Sequence, residues 1–306
     1  MTPRVSVVVP TRNRLATLTR ALAGVDAQRF RDFEILVVDD GSTDGTADWL
    51  RARYPGVRLL ARASPAGAAS ARNLGLERAR GKFVAFLDDD DVWQPSYLEA
   101  QVNHLDANPA AALSYADYVE SDSFGRRSRP DNRTRLRNAS PLLRLLAESF
   151  IHTLSVVVCR REAFDRFGRF DESLTIVHDL EWYARVLGGG GSVLHLQRAL
   201  VDRSVPGGLL ASHRHWFREE RAVLAKALDG SPEHRKYERM VRAYRSLFFA
   251  RVALTRRDLT FGLVRLVEAF LSSPRWTVQL ATVRLLRRIP RDRRAGAWGA
   301  HAGVGR

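Results

Sequence analysis

Residues 82–93 read KFVAFLDDDDVW: a short apolar run, Phe83 to Leu87, meets four consecutive aspartates, Asp88 to Asp91. Phenylalanine and valine favour a strand. Adjacent carboxylates repel one another, so the cluster marks the place where that strand reaches solvent. Two readings of the acidic run stand at this point. It is a solvated turn supplying capping carboxylates to a helix that begins soon after, or an oxygen-ligand site for a hard divalent cation, Mg2+ or Mn2+, shared with substrate phosphates.

The sequence on either side identifies the sheet. Upstream, RVSVVVP (4–10), FEILVVDD (33–40) and GVRLLA (56–61) read as strands. They alternate with RLATLTRALAGVDAQ (14–28), STDGTADWLRARY (42–54) and GAASARNLGLERAR (67–80), which read as helices; Leu15, Leu18, Leu22 and Val25 fall on one face of the first. Strands alternating with helices predict an α/β fold, a mainly parallel Rossmann-like sheet flanked by helices on both faces. In such sheets ligands bind beyond the carboxyl ends of the strands. Pro10 and Thr11, Asp39 and Asp40, and Asp88 to Asp91 all fall at those ends, so three polar clusters share one edge.

Downstream, PSYLEAQVNHLDANP (95–109) predicts a helix, AALSYADYVE (111–120) a strand, and 121–140, polar and basic without periodicity, a long surface loop near the mouth of the site. A helix, the strand TLSVVVCR (153–160), the helix HDLEWYARVLGG (178–189) and strand structure in SVLHLQRALVDRSV (192–205) follow. Cys159, the sole cysteine, is expected as a buried strand thiol, and His195 as a strand residue without chemistry. A single cysteine rules out an intrachain disulfide and suits a reducing compartment. No leader and no membrane-length apolar window is read, so a cytoplasmic location is expected.

The net charge of +15 over 306 residues is uneven. Residues 1–200 carry 27 Lys+Arg against 25 Asp+Glu, whereas 201–306 carry 22 against 9. The excess coincides with long helical patterns from about residue 210, including FGLVRLVEAFL (261–271) and WTVQLATVRLLRRI (276–289). These form either a helical subdomain or a basic amphipathic surface resting on anionic lipid at the inner face of the cell membrane. Nucleic-acid binding is disfavoured, because no zinc spacing, RNA-binding aromatic signature or recognition-helix motif accompanies the charge.

Four blocks occur in order: VSVVVPTRNR (5–14), ILVVDDGSTDGT (35–46), GAASARNLGLERARGKFVAFLDDDDVWQP (67–95) and FDESLTIVHDLEWYARV (170–186). On these the chain closely resembles the family 2 glycosyltransferases over about residues 4–210. The resemblance implies the GT-A fold and inverting transfer of a sugar from a nucleotide diphosphate donor, UDP-linked by preference, to a hydroxyl of a glycan, lipid-linked or other acceptor. It implies a catalytic domain at 1–209; beyond it the chain's own pattern is read as a basic helical region at 210–290 and a disordered tail at 291–306. Position by position, it places Pro10, Thr11 and Asn13 at the nucleotide pocket and Asp39 on the base, with Asp40 beside it. Arg72 falls near the phosphates, and Asp88 and Asp89 face the ribose and metal. Mn2+ or Mg2+ is held by Asp90 with Asp88, and Asp91 caps the following helix. Asp179, opening a helix, matches the general base that deprotonates the acceptor.

Two departures from the family pattern stand out. His178 replaces the usual glutamate before the base, either as a tolerated surface change or to tune the base or read the acceptor. Val205 occupies the position of a histidine near the metal, for which His213 or His215 could substitute. Trp182 and Tyr183 fit the core better than an acceptor-stacking surface, Trp182 being the candidate for the latter. The alternative from another class is a non-catalytic nucleotide-sugar-binding scaffold.

Overall fold

A computed structural model describes residues 2–121, 127–128, 139–204, 213–229, 232–275 and 277–278. The chain divides into two compact units, Met1–Lys236 and Tyr237–Arg306.

The first unit is built on one sheet. Strand β1 (Val5–Thr11) is followed by α1 (Leu15–Asp26), β2 (Phe33–Asp39), α2 (Thr46–Arg53), β3 (Arg58–Ala61), α3 (Ala68–Arg78) and β4 (Phe83–Phe86). Next come β5 (Val92–Trp93), α4 (Tyr97–Asp106), β6 (Ala111–Ser121), β7 (Arg127–Ser128) and α5 (Pro141–Glu148). A 3₁₀ turn at Leu154–Val156 leads into β8 (Val157–Arg160), then α6 (Arg161–Phe167), α7 (His178–Gly188), β9 (Ser192–Ser204) and α8 (His213–Leu228). Helix α9 (Pro232–Thr255) runs across the boundary between the units, and α10 (Leu259–Ser272) belongs to the second.

The strand order is β3-β2-β1-β4-β8-β6-β9-β5, with β7 paired to β6. Pairing is parallel from β3 through β4 and between β6 and β9, while β8 and β5 join antiparallel. The strand expected over 153–160 is therefore half turn and half strand, and its start lies at the same sheet edge as the ends of β1, β2 and β4. That antiparallel entry brings Thr153 and Ser155 to the edge already carrying Asp39 and Asp88. Helix α6 and the two-residue strands β5 and β7 fall below the length at which periodicity can be read.

Core side chains of β1, β2 and β4, among them Val7, Val8, Val9, Leu36, Val37, Phe83 and Phe86, are fully buried. They bear out the reading of continuous apolar runs as strands covered on both faces. Helix α3 packs so closely on this sheet that a Cβ at Gly75 would stand 2.3 Å from Val8 Cγ1 and 3.3 Å from Val38 Cγ2. The missing side chain lets α3 sit low, which fixes the height at which Arg72, one turn earlier, meets the strand ends.

Cys159 is buried in β8, and burial pushes its thiol well above the usual range. His195 donates from Nε2 to Asp117 Oδ1 at 2.8 Å and stacks on Tyr115, centroids 4.5 Å apart. Most of the loop at 121–140, Val205 and the tail at 291–306 lie outside the described residues. In the second unit, Val241, Phe249 and Ala253 are buried, and Asp258 caps α10 by accepting from the Phe261 N–H at 3.4 Å.

Candidate functional site

The acidic run and its neighbours form a single network at the carboxyl edge of the sheet. Asp88 accepts hydrogen bonds from Arg72 at Oδ1 and from Thr153 Oγ1 at Oδ2 (2.8 Å), and its N–H donates to Ser155 Oγ at 3.0 Å. Burial pushes this carboxyl up, but the Arg72 charge and the two side-chain donors outweigh it and hold Asp88 below the usual carboxylate range. Asp89 is buried, accepts from Thr11 Oγ1 at 2.7 Å and from Arg14 at 3.1 Å, and is raised to about 6 chiefly by burial. Asp90 pairs with Arg14 at 2.9 Å and is raised by burial and by the charge of Asp88.

Asp91 departs from expectation. It does not cap α4, whose preceding residue Ser96 makes no side-chain cap either. Instead Asp91 accepts from the Ser204 N–H at 2.9 Å, while Ser204 Oγ donates to the Asp90 carbonyl at 2.7 Å. This stitches the acidic turn to the end of β9. Burial, with Asp88 and Asp90 nearby, pushes Asp91 up to about 8.

The residues ahead of α1 and α2 close the opposite side. Asn13 adopts a left-handed backbone (φ 52°), donates its N–H to Ser42 Oγ at 2.9 Å and accepts from the Thr43 N–H at 2.7 Å. It therefore clips the end of β1 to the end of β2. Asp39 is buried and accepts from the Ser42 N–H at Oδ1 (2.9 Å). Asp40, expected beside the nucleotide, has both oxygens engaged by the Ala66 and Gly67 N–H groups (2.8–3.1 Å) and Arg62, holding the loop that enters α3. Pro10 lies in register with Val38 at the strand ends. A cleft of ≈ 810 Å³ is lined by Asn13, Arg14, Asp44 and Asp90.

Arg72 joins this edge to α7. One terminal nitrogen bonds Asp88; the other, Nη1, donates to His178 Nε2 at 2.8 Å. Burial and the adjacent Arg72 charge pull His178 down to about 3, so the ring is neutral, accepts at Nε2 and carries its proton on Nδ1. His178 is thus buried and not the surface change expected: a neutral histidine fills the glutamate position as an acceptor for Arg72 and adds no charge to the network. Asp179 follows at the start of α7, half-buried, with Oδ1 accepting from the Leu180 N–H at 2.7 Å. Burial raises its carboxyl to about 6, and the charge of Arg72 is near enough to oppose the rise. Trp182 is corrected here: it is fully buried, donates to the Gly168 carbonyl at 2.8 Å and stacks on Phe164, so it offers no surface to an acceptor.

The segment before α7 is anchored by α8. Glu219 accepts at Oε1 from the Thr175 N–H and hydroxyl (2.8 and 2.7 Å) and at Oε2 from the N–H groups of Ile176 and Val177 (2.8 and 3.2 Å). Val177, directly before α7, provides no side-chain cap of its own, so one carboxylate from another helix satisfies these donors. His215 bonds Thr175 and Glu219 at 2.7 and 2.9 Å and is engaged there, not at the aspartates. His213 is buried at the start of α8. Glu219→Ala orphans three consecutive N–H groups, and a loss of about 1.5–3 kcal/mol is expected, read as a lower denaturant midpoint.

Can this edge hold a divalent cation? No cluster of three or more metal-ligating side chains exists among the described residues. Mg2+ and Mn2+ commonly take one or two carboxylates and leave further positions to phosphate and water. Asp90, with a side chain 17% exposed and tied only to the half-exposed Arg14, and Asp88 beside it provide that number. Asp90, raised by burial and by the charge of Asp88, is a carboxylate that a nearby cation would relieve. The residues fit such an ion.

Arg14, Thr153, Arg203 and Glu219 belong to the site and went unread in the sequence. Arg14 and Arg203 do sit within quoted stretches, VSVVVPTRNR (5–14) and SVLHLQRALVDRSV (192–205). Arg203 pairs with Glu120 at 2.9 Å and lies over the Tyr118 ring, close enough to the aspartates to feel Asp91 and Asp88. Thr153 and Glu219 carry no local signal, since each acts through a partner more than 40 residues away.

Residues 6–168 match the family model described as Glycosyl transferase family 2. Among curated relatives, the UDP-Glc:alpha-D-GlcNAc-diphosphoundecaprenol beta-1,3-glucosyltransferase WfgD of Escherichia coli is 36% identical over 115 residues, 37% of this chain and 45% of that protein. The chain spans less than two thirds of the length of the first relatives it matches, 58%, 20% and 18% of three Rickettsia glycosyltransferases. In fold, the chain is similar to S. aureus TarS in complex with UDP-GlcNAc (TM-score 0.66, 20% identity, 90% of this chain and 83% of that one). It is likewise similar to the mannosyltransferase PcManGT of Pyrobaculum calidifontis in complex with GDP-Man and Mn2+ (TM-score 0.62, 24% identity, 94% and 81%). At these identities the structural likeness is one of fold, the GT-A fold.

Proposed function

The chain belongs to glycosyl transferase family 2, and from that membership we propose that it is a metal-dependent, inverting transferase. It moves a sugar from a nucleotide diphosphate, UDP by preference, to a hydroxyl of a glycan or lipid-linked acceptor in polysaccharide or glycoconjugate synthesis. One observation carries the reading: Arg72 bonds Asp88 of the strand-end cluster and His178 of α7 at once, so the donor-side carboxylates and Asp179 belong to one cluster.

The geometry supports the following roles. Asp39, with Oδ1 fixed by the Ser42 N–H, presents Oδ2 to a donor N–H such as that of uracil. Asn13 holds the two loops that flank the base. Asp90 and Asp88 would hold Mg2+ or Mn2+. When bound, such an ion supplies Lewis-acid neutralisation of the charge that develops on a departing diphosphate. The guanidinium of Arg72 adds fixed positive charge beside it. At Asp179, Oδ1 is occupied by the Leu180 N–H, so Oδ2 is the atom that takes the proton from the attacking acceptor hydroxyl. Its position in the first turn of α7 favours the ionised form against the rise caused by burial.

The donor preference draws support from WfgD, whose name specifies UDP-Glc and a diphosphoundecaprenol-linked acceptor, and from the UDP-GlcNAc complex of TarS. A ligand that binds only the folded form raises its melting temperature. Nucleotide sugars screened with Mn2+ should include at least one UDP-sugar that stabilises the protein, with the effect lost in Asp90→Ala. No stabilisation by any UDP- or GDP-sugar would remove the proposal.

A further inference from the structure

The second unit carries a surface that sugar transfer does not require. Helix α10 exposes Leu259, Leu263, Val264, Val267, Phe270 and Leu271 to between 48 and 76%. Their spacing gathers them into one stripe along the helix. A contiguous apolar surface of this kind on a protein surrounded by water marks an interaction site.

The charges around the stripe say what it meets. Helix α10 contains two charged residues, Arg265 and Glu268, which form an ion pair with each other and have side chains only 13% and 25% exposed. The apolar face is therefore uninterrupted along the helix. Exposed arginines stand instead at its ends, Arg256 and Arg257 before it and Arg275 after it. Residues 237–306 together hold 15 arginines and no lysine against four acidic residues. A second copy docking through this face would bring the same arginines together, whereas an anionic surface neutralises them.

Length settles the orientation. Fourteen residues of helix reach about 21 Å, short of the roughly 30 Å hydrocarbon core. Among the described residues no helix is long and apolar enough to cross a membrane. We propose that the apolar stripe of α10 lies in the plane of an anionic bilayer, at the boundary between headgroups and acyl chains, with Arg256, Arg257 and Arg275 among the headgroup phosphates. This face is a different element from the carboxylate edge, so its test is independent of the transfer reaction.

The experiment is flotation of the full chain with vesicles of phosphatidylcholine alone or mixed with phosphatidylglycerol. Wild type should float with the anionic vesicles and much less with the neutral ones. The triple variant Leu263→Ser, Val267→Ser, Leu271→Ser should lose at least about tenfold in partitioning. Replacing the three flanking arginines by glutamine should weaken binding and flatten its dependence on salt. Leu271→Glu, at the most exposed of these positions, serves as a second variant that leaves the fold undisturbed. Failure of wild type to float, equal flotation with neutral vesicles, or undiminished flotation of the serine and glutamate variants overturns the proposal. Sedimentation without vesicles completes the test: a wild-type dimer that the serine variant converts to monomer, with flotation unchanged, assigns the face to self-association.

Discussion

Asp179→Asn should lower kcat by about 10²–10⁴-fold while leaving donor affinity unchanged, because general-base contributions are of that size. The substitution is chosen for its geometry. An asparagine carbonyl still accepts from the Leu180 N–H, as Asp179 Oδ1 does at 2.7 Å, so the start of α7 is preserved and only the proton-accepting oxygen is lost. Stopped single-turnover measurements with saturating donor separate the chemical step from binding. The same assignment dictates a pH profile. The active form of Asp179 is the ionised one, and burial places its carboxyl at about 6. Rates should therefore rise about tenfold per pH unit below that value and level above it. In Asp179→Asn the dependence should vanish from the residual rate. An active asparagine variant, or a wild-type rate that falls as pH rises from 5 to 7, contradicts the mechanism.

Arg72→Ala should be the second severe change, and its damage should divide into stability and binding. Arg72 is buried and satisfies Asp88 on one side and His178 on the other. Removing it leaves Asp88 without the charge that holds its carboxyl low. Breaking a buried pair in this way typically costs about 3–5 kcal/mol; here Asp88 keeps some exposure, so the lower end is expected. Adding Asp88→Asn to Arg72→Ala should recover part of the stability, because the orphaned charge goes with it. Donor affinity should not recover, since both groups act on the phosphate side. His178→Asn, which retains a neutral acceptor for Arg72, should be mild by comparison, whereas His178→Glu introduces a charge beside Asp88. Calorimetry for stability and nucleotide titration for affinity read the two losses separately. Equal recovery of both in the double variant would show that Arg72 serves the fold alone.

The mainly parallel α/β sheet and the edge that gathers the candidate site's residues were legible in the chain. Apolar runs at Val5–Thr11, Phe33–Asp39 and Phe83–Phe86 recur between helical patterns, and each ends in polar residues. Parallel pairing then forces those ends onto one edge. The antiparallel entry of β8 was not legible, because a four-residue strand looks the same in either direction. Nor were the roles within the acidic run. Adjacent aspartates are alike in sequence, yet Asp88 meets Arg72, Asp89 meets Thr11, Asp90 meets Arg14 and Asp91 meets Ser204.

Sequence alone therefore determined the α/β class and the gathering of polar residues at strand ends, because side-chain type and strand-end position are local properties, and four ordered blocks tied the chain to its family. Tertiary structure decided how each carboxylate's ionisation is shifted, which one lines the cleft and what anchors the segment before Asp179. Those outcomes depend on burial and on partners such as Thr153, Ser204 and Glu219, brought close by packing and not by proximity along the chain. Ionisation responds to distances of a few ångströms in a medium of low dielectric constant, and only the folded chain sets such distances.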